Sequence, residues 1–152
     1  MINVRSSVEA DFPAVLSLVK ELAVYQQMPE KVLVDVDQMI EEKEYFRCLV
    51  AENEQGEIIG IASYFFAYYT WVGKSLYLDD LVVKQSERGK GIGSKLLDAI
   101  INIAKQENCK RVRWLVSEWN HPSIEFYKKR GVELDTESYV CDLNATQIQQ
   151  WK

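Results

Sequence analysis

Apolar positions recur along the chain in two rhythms. Residues 1–6, MINVRS, alternate apolar and polar and predict a strand. Over 9–25 the spacing lengthens, and Phe12, Val15, Leu16, Val19, Leu22 and Ala23 fall on one helical face. Pro13 suits the first turn of that helix, where its missing donor is harmless. A break at QQMPEK precedes a shorter helix over 34–43. Strands are predicted over 46–52, 57–69 and 74–83, joined by the turn segments NEQG and TWVG. Residues 90–106 return to the helical rhythm, with Ile92, Leu96, Leu97, Ile100, Ile101 and Ala104 on one face. A strand over 110–118 leads to a helix over 120–131 with a visible start and stop. Asn120 and Pro122 open it, and Lys128, Lys129, Arg130 and Gly131 close it. A strand near 138–143 and a short helix near 145–151 end the pattern.

Three consecutive strands predict an antiparallel meander, and the strand–helix–strand unit over 74–116 requires a right-handed parallel crossover. The expected fold class is therefore α/β, a mixed central sheet flanked by helices, as a single domain over residues 1–152. Composition agrees: 152 residues with 47% apolar content suffice for one core. No apolar run approaches the roughly 20 residues of a transmembrane helix. Arg5, Glu9 and Asp11 interrupt any leader-like stretch, so a cytoplasmic protein with no membrane partner is expected. Cys48, Cys109 and Cys141 are scattered and His121 is the one histidine, which speaks against a metal site and for reduced, apolar-like thiols. A net charge of −5 speaks against nucleic-acid binding, and Lys110, Arg111 and Arg113 read as a solvated strand edge.

The segment SERGKGIGSKLL places Gly89, Gly91 and Gly93 between an apolar strand and an apolar helix. The first donors of a helix lack intrahelical partners, and the helix dipole adds partial positive charge there. With no side chains on these three residues, an anion such as a pyrophosphate can approach the N–H groups of Gly89, Gly91 and Gly93, with Arg88, Lys90 and Lys95 nearby. A Walker loop is absent. The spacing also departs from the dinucleotide-binding G-x-G-x-x-G, and the strand before it is about the fourth rather than the first. A ligand-free tight turn is the alternative.

Arg88, Gly91 and Gly93 also match R/Q-x-x-G-x-G/A, the acetyl-CoA pyrophosphate signature of the GNAT N-acetyltransferase superfamily. The blocks VKELAVYQQM, YYTWVGKSLYL, LYLDDLVVKQSERGKGIGSKLL and EWNHPSIEFYKKRG resemble the diamine acetyltransferase family, which includes spermidine/spermine and thialysine acetyltransferases. The resemblance spans residues 18–131 with interruptions and thins beyond Gly131.

That resemblance implies a GNAT fold and transfer of acetyl from acetyl-CoA to a primary amine of a small molecule, a diamine, polyamine or lysine-like amine, by direct attack. Freeing an alkylamine at pH 7 costs about 4.6 kcal/mol, so the site must position the amine and receive its proton. The family carries glutamate where this chain has Asp79, which becomes the expected base, acting through water. Strict alternation along the strand puts Asp79 with Tyr77, Leu81 and Val83, and Asp80 with Leu78 and Val82 in a structural role. Tyr127 matches the family's general acid, which protonates the leaving thiolate. The resemblance further assigns Leu81, Val82 and Val83 to the pantetheine arm through their backbones. Arg88, Gly89, Lys90, Gly91, Ile92, Gly93 and Ser94 are assigned to the pyrophosphate, and Asn120 and Ser123 to the cofactor. Tyr25, Gln26, Trp71 and Asp79 are the implied substrate residues. Gln26 stands where polyamine enzymes carry a glutamate, and Tyr69 and Thr70 stand just before Trp71 and Gly73, where those enzymes carry another acid, which leaves the acceptor open. The aromatics Tyr64, Phe65, Phe66, Tyr68 and Tyr69 are expected in the core and on a dimer surface, and a homodimer is implied. The competing readings are a non-catalytic acyl-CoA-binding or regulatory domain, and an acetyltransferase of protein lysines or N-termini.

Overall fold

A computed structural model describes all residues 1–152. The chain gathers into two compact units, Met1–Leu115 and Val116–Lys152. In the first, five strands form one sheet in sequence order: β1 (Asn3–Ser6), β2 (Arg47–Glu52), β3 (Ile58–Tyr69), β4 (Gly73–Val83) and β5 (Val112–Arg113). The first four pair antiparallel as a meander, and β5 joins β4 in parallel. The expected mixed sheet is thus present. No helix is long and apolar enough to cross a membrane.

Helices cover the sheet because their apolar stripes match it. α1 (Phe12–Tyr25) buries Phe12, Val15, Leu16 and Leu18 against Cys48, Val50, Ile61 and Val82, joined by Met39 of α2 (Val36–Glu41). Asp35 caps α2 by accepting a bond from the Gln38 amide at 2.8 Å. Arg5 pins the start of α1 to the sheet, donating to both Asp11 oxygens at 2.7 and 3.1 Å and to Glu52 at 3.0 Å.

α3 (Ile92–Gln106) buries Ile92, Leu96, Leu97, Ile100 and Ala104. A Cβ built on Gly60 would meet Leu96 at 3.1 Å and Ile92 at 3.2 Å, so glycine is what lets α3 lie this close to β3.

Two expected strands differ. The segment over 110–118 shortens to the two residues of β5, which pair as Leu76↔Val112 and Tyr77↔Arg113. Beyond Tyr77 no strand pairs with that edge of β4. No strand forms near 138–143. Its alternation is strand-like, but a strand needs a neighbour's ladder, and Tyr139 and Val140 lie 95% and 62% exposed. The second unit instead holds two helices, α4 (His121–Lys128) and α5 (Ala145–Gln149).

Candidate active site

β4 carries one residue more than its partner between two ladder positions. Ser63 pairs with Asp80 and Tyr64 pairs with Leu78, so Asp79 is the extra residue of a β-bulge. Ser63 and Tyr64 are consecutive and point to opposite faces of β3, hence so do Leu78 and Asp80. This corrects the face assignment expected from strict alternation. Asp80 shares the face of Tyr77 and of Phe65, whose rings stack at 5.0 Å, rather than the face of Leu78. The reason is electrostatic. One side of β4 is packed by α3, and a carboxylate turned there would be buried without a partner. The bulge lets both aspartates line a single cavity.

That cavity has a volume of about 280 Å³. Val15, Leu16 and Val19 of α1 form one wall, with Val34, Met39 and Phe46 beside them. Ser63, Tyr64, Phe65, Asp79 and Asp80 form the sheet side, and Glu42 and Tyr45 complete the lining. Asp80 is the deeper acid. Burial, then the neighbouring Asp79 charge, push its pKa from an ordinary 3.8 up to about 6, against the opposing pull of the Ser63 hydroxyl. Ser63 Oγ donates to Asp80 Oδ2 at 3.2 Å and accepts from the Asp80 amide at 3.1 Å, which holds the carboxylate in place. Asp79 keeps an exposed side, yet partial burial raises its pKa as well. Two carboxylates with raised proton affinity in one apolar-walled cavity can bind an ammonium and take up its proton.

The same strand runs on into the glycine turn. A helical turn at Gln85–Glu87 precedes Arg88, and Gly89 and Gly91 adopt φ of 79° and 80°. Gly91 is the N-cap of α3 in the left-handed conformation and makes no side-chain cap bond. A Cβ at Gly89 or at Gly91 would meet nothing within 4 Å, so this side of the turn is open space. Arg88 Nε donates to the Val83 carbonyl at 3.1 Å, and its guanidinium lies 5.2 Å from the Tyr25 ring centre. Lys90 pairs with Glu87 at 2.8 Å. Positive charge and a bare helix start therefore adjoin the end of β4, as an anion site requires.

In the second unit, Asn120 is buried and caps α4, its Oδ1 accepting from the Ser123 amide at 3.4 Å. Tyr127 is buried, with its ring edge-on to Phe126 at 5.4 Å. Gly131, at φ 76°, ends the segment as its sequence position predicts.

Of the expected substrate residues, Asp79 alone lines the cavity. Tyr25 ends α1 under Arg88, Gln26 is the helix's C-cap, and Trp71 lies in the β3–β4 turn at 93% exposure. Asp80, Ser63 and Glu42 were not expected there. The paired acids in DDL signal the first, but no local pattern separates Glu42 from Glu41 or Glu44.

A model of the Acetyltransferase (GNAT) family matches residues 12–132. The thialysine N-epsilon-acetyltransferase of Bos taurus is 32% identical over 148 residues, covering 90% of this chain and 87% of that protein. The human spermidine/spermine N(1)-acetyltransferase-like protein 1 is 36% identical over 139 residues, 85% of this chain but 20% of that protein. In structure, glucosamine-6-phosphate N-acetyltransferase from Arabidopsis thaliana superposes with a TM-score of 0.76 at 20% identity, over 95% of this chain and 99% of that one.

Proposed function

Since the chain belongs to the GNAT acetyltransferase family, an N-acetyltransferase transferring acetyl from acetyl-CoA to an amine, we propose that its acceptor is the primary amine of a small molecule, of the diamine, polyamine or lysine-like class. One observation carries this reading: β4 bears the two cavity aspartates and then runs directly into the glycine turn, so a single strand addresses amine and cofactor.

The proposed sequence of events uses this chain's own groups. The backbone of the turn, Gly89 through Ser94, with Arg88 and Lys90, holds the pyrophosphate. The unpaired edge of β4 at Leu81, Val82 and Val83 takes the pantetheine arm as an added strand. Asn120 and Ser123 contact the cofactor. Asp79 anchors the ammonium and accepts its proton through water, with Asp80 deepening the negative potential. The freed amine attacks the thioester carbonyl, the C–N bond forms, and the C–S bond breaks. Tyr127 gives its phenolic proton to the departing sulfur, and the second proton shed by the acetylated nitrogen returns through solvent to the tyrosinate, so that coenzyme A leaves as the thiol. Tyr25, Gln26 and Trp71 remain proposed substrate contacts. A homodimer remains the proposed assembly, supported by the uncovered apolar side chains Tyr139, Val140 and Leu143.

Acetyl-CoA turnover against small amines and against peptides bearing lysines or free N-termini tests the reading. Thiol release is expected with small amines and not with peptides. Binding of acetyl-CoA with no amine acetylated would favour a pure binding domain instead.

The turn has its own test. Gly91→Ala places a side chain at φ 80°, a strain of about 1–2 kcal/mol, in the space proposed for the phosphates. A lower melting temperature and at least tenfold weaker acetyl-CoA binding by calorimetry are expected. Unchanged affinity would move the pyrophosphate elsewhere.

A further inference from the structure

The cavity has acidic groups on two sides and apolar walls between them. Asp79 and Asp80 come from β4. Glu42 comes from the helical side, at the C-cap of α2. Its backbone is anchored in both directions: its amide donates to the Gln38 carbonyl at 2.9 Å, and its carbonyl accepts from the Tyr45 amide at 3.0 Å. Gln38 Nε2 holds the carboxylate, at 3.3 and 3.2 Å from its two oxygens. That partner is a neutral amide. The adjacent Lys43 pairs with Glu9 at 2.6 Å. No lysine, arginine or histidine lines the cavity, so its fixed charge is uniformly negative.

Between the acids lie Val15, Leu16, Val19, Val34 and Met39, a surface suited to methylenes. A volume of about 280 Å³ falls just below the roughly 300–1,000 Å³ of sites for drug-sized ligands, which suits a short linear chain.

We propose that Glu42 is a specificity-determining residue that binds the second, non-reacting ammonium of a linear diamine whose first amine meets the β4 aspartates. The proposal rests on the acetyltransferase reading of this cavity. It separates acceptors by their far end. A diamine presents a cation to Glu42. An amino acid of equal length presents an ammonium beside a carboxylate, which Glu42 repels. A monoamine presents nothing charged.

Putrescine, n-butylamine and ornithine share a four-carbon chain and differ at that end, so they are the probes. Glu42→Gln is expected to raise KM for putrescine roughly five- to tenfold, with kcat within about twofold, the range for a partly solvated ion pair. KM for n-butylamine stays unchanged, and the wild-type preference for putrescine over ornithine narrows. Glu42→Asp, which keeps the charge, recovers most of the putrescine KM. Glu41→Gln, one residue away and outside the lining, is the control and leaves all three substrates alone. Because Glu42 is exposed, the variants fold, and thermal melting confirms it. An equal KM change for putrescine and n-butylamine, or no change for either, overturns the role of Glu42 while leaving the enzyme reading intact. A wild-type protein that acetylates none of the three, nor spermidine or lysine, overturns both.

Discussion

Replacing Tyr127 with phenylalanine is expected to lower kcat by roughly 10²–10⁴-fold while acetyl-CoA affinity stays within about twofold. The substitution is chosen for what it keeps. Tyr127 is 8% exposed and packs edge-on against Phe126, and phenylalanine preserves that ring, its burial and its contact. The hydroxyl alone is lost, and with it the proposed donor to sulfur. Thermal melting separates a chemical effect from a folding one. Single-turnover measurements, which isolate the acetyl-transfer step from product release, place the loss on chemistry. A rate within twofold of wild type would remove Tyr127 from the mechanism and leave it as a core aromatic.

Asp80→Asn is expected to stabilise the fold and damage the enzyme together. A carboxyl whose pKa rises from 3.8 to about 6 on folding binds its proton more tightly in the folded state. The ionised form therefore costs the folded protein stability at every pH above about 6. That cost fades as pH falls through about 6 and is gone below about 4. Asparagine carries no charge and can still accept the Ser63 hydroxyl. At pH 7.5 the variant should be more stable by about 1–3 kcal/mol in denaturant melts, and the difference should vanish near pH 4. Activity should fall at least tenfold, because the potential proposed to draw the ammonium weakens. The wild-type kcat/KM should lose its acid side near pH 6, and the variant should lose that limb. A variant less stable than wild type at pH 7.5 would mean that Asp80 is held by favourable contacts rather than against its solvation.

Most of the sheet and the two long helices were legible because their signals are local and repeated. Ile92, Leu96, Leu97, Ile100 and Ala104 announce α3 and its buried face together. The left-handed glycines are legible for the same reason, since a turn entering a helix asks for that residue type at Gly91. What escaped depends on partners distant in sequence. The two-residue extent of β5 follows from where β4 stops pairing, and nothing within 110–118 marks that point. The alternation of Tyr139, Cys141 and Leu143 is a true pattern without a neighbouring ladder. The bulge escaped because it is a property of two strands. Asp79 has no peculiarity of its own, and its place becomes evident against Ser63 and Tyr64. The cavity followed suit, since Glu42 and Asp80 lie far apart in the chain and come to line one hollow only through the packing of α1 and α2 on the sheet.

The extra residue in β4 sits between two positions that would otherwise be neighbours. Shortening the chain by Asp79 would set Leu78 and Asp80 side by side opposite Tyr64 and Ser63, a regular ladder with every other side chain facing as it does now. The second acid is thus a modular graft. A lineage could gain or shed half the negative charge at the floor of this hollow through one inserted or deleted codon, without redrawing the scaffold around it.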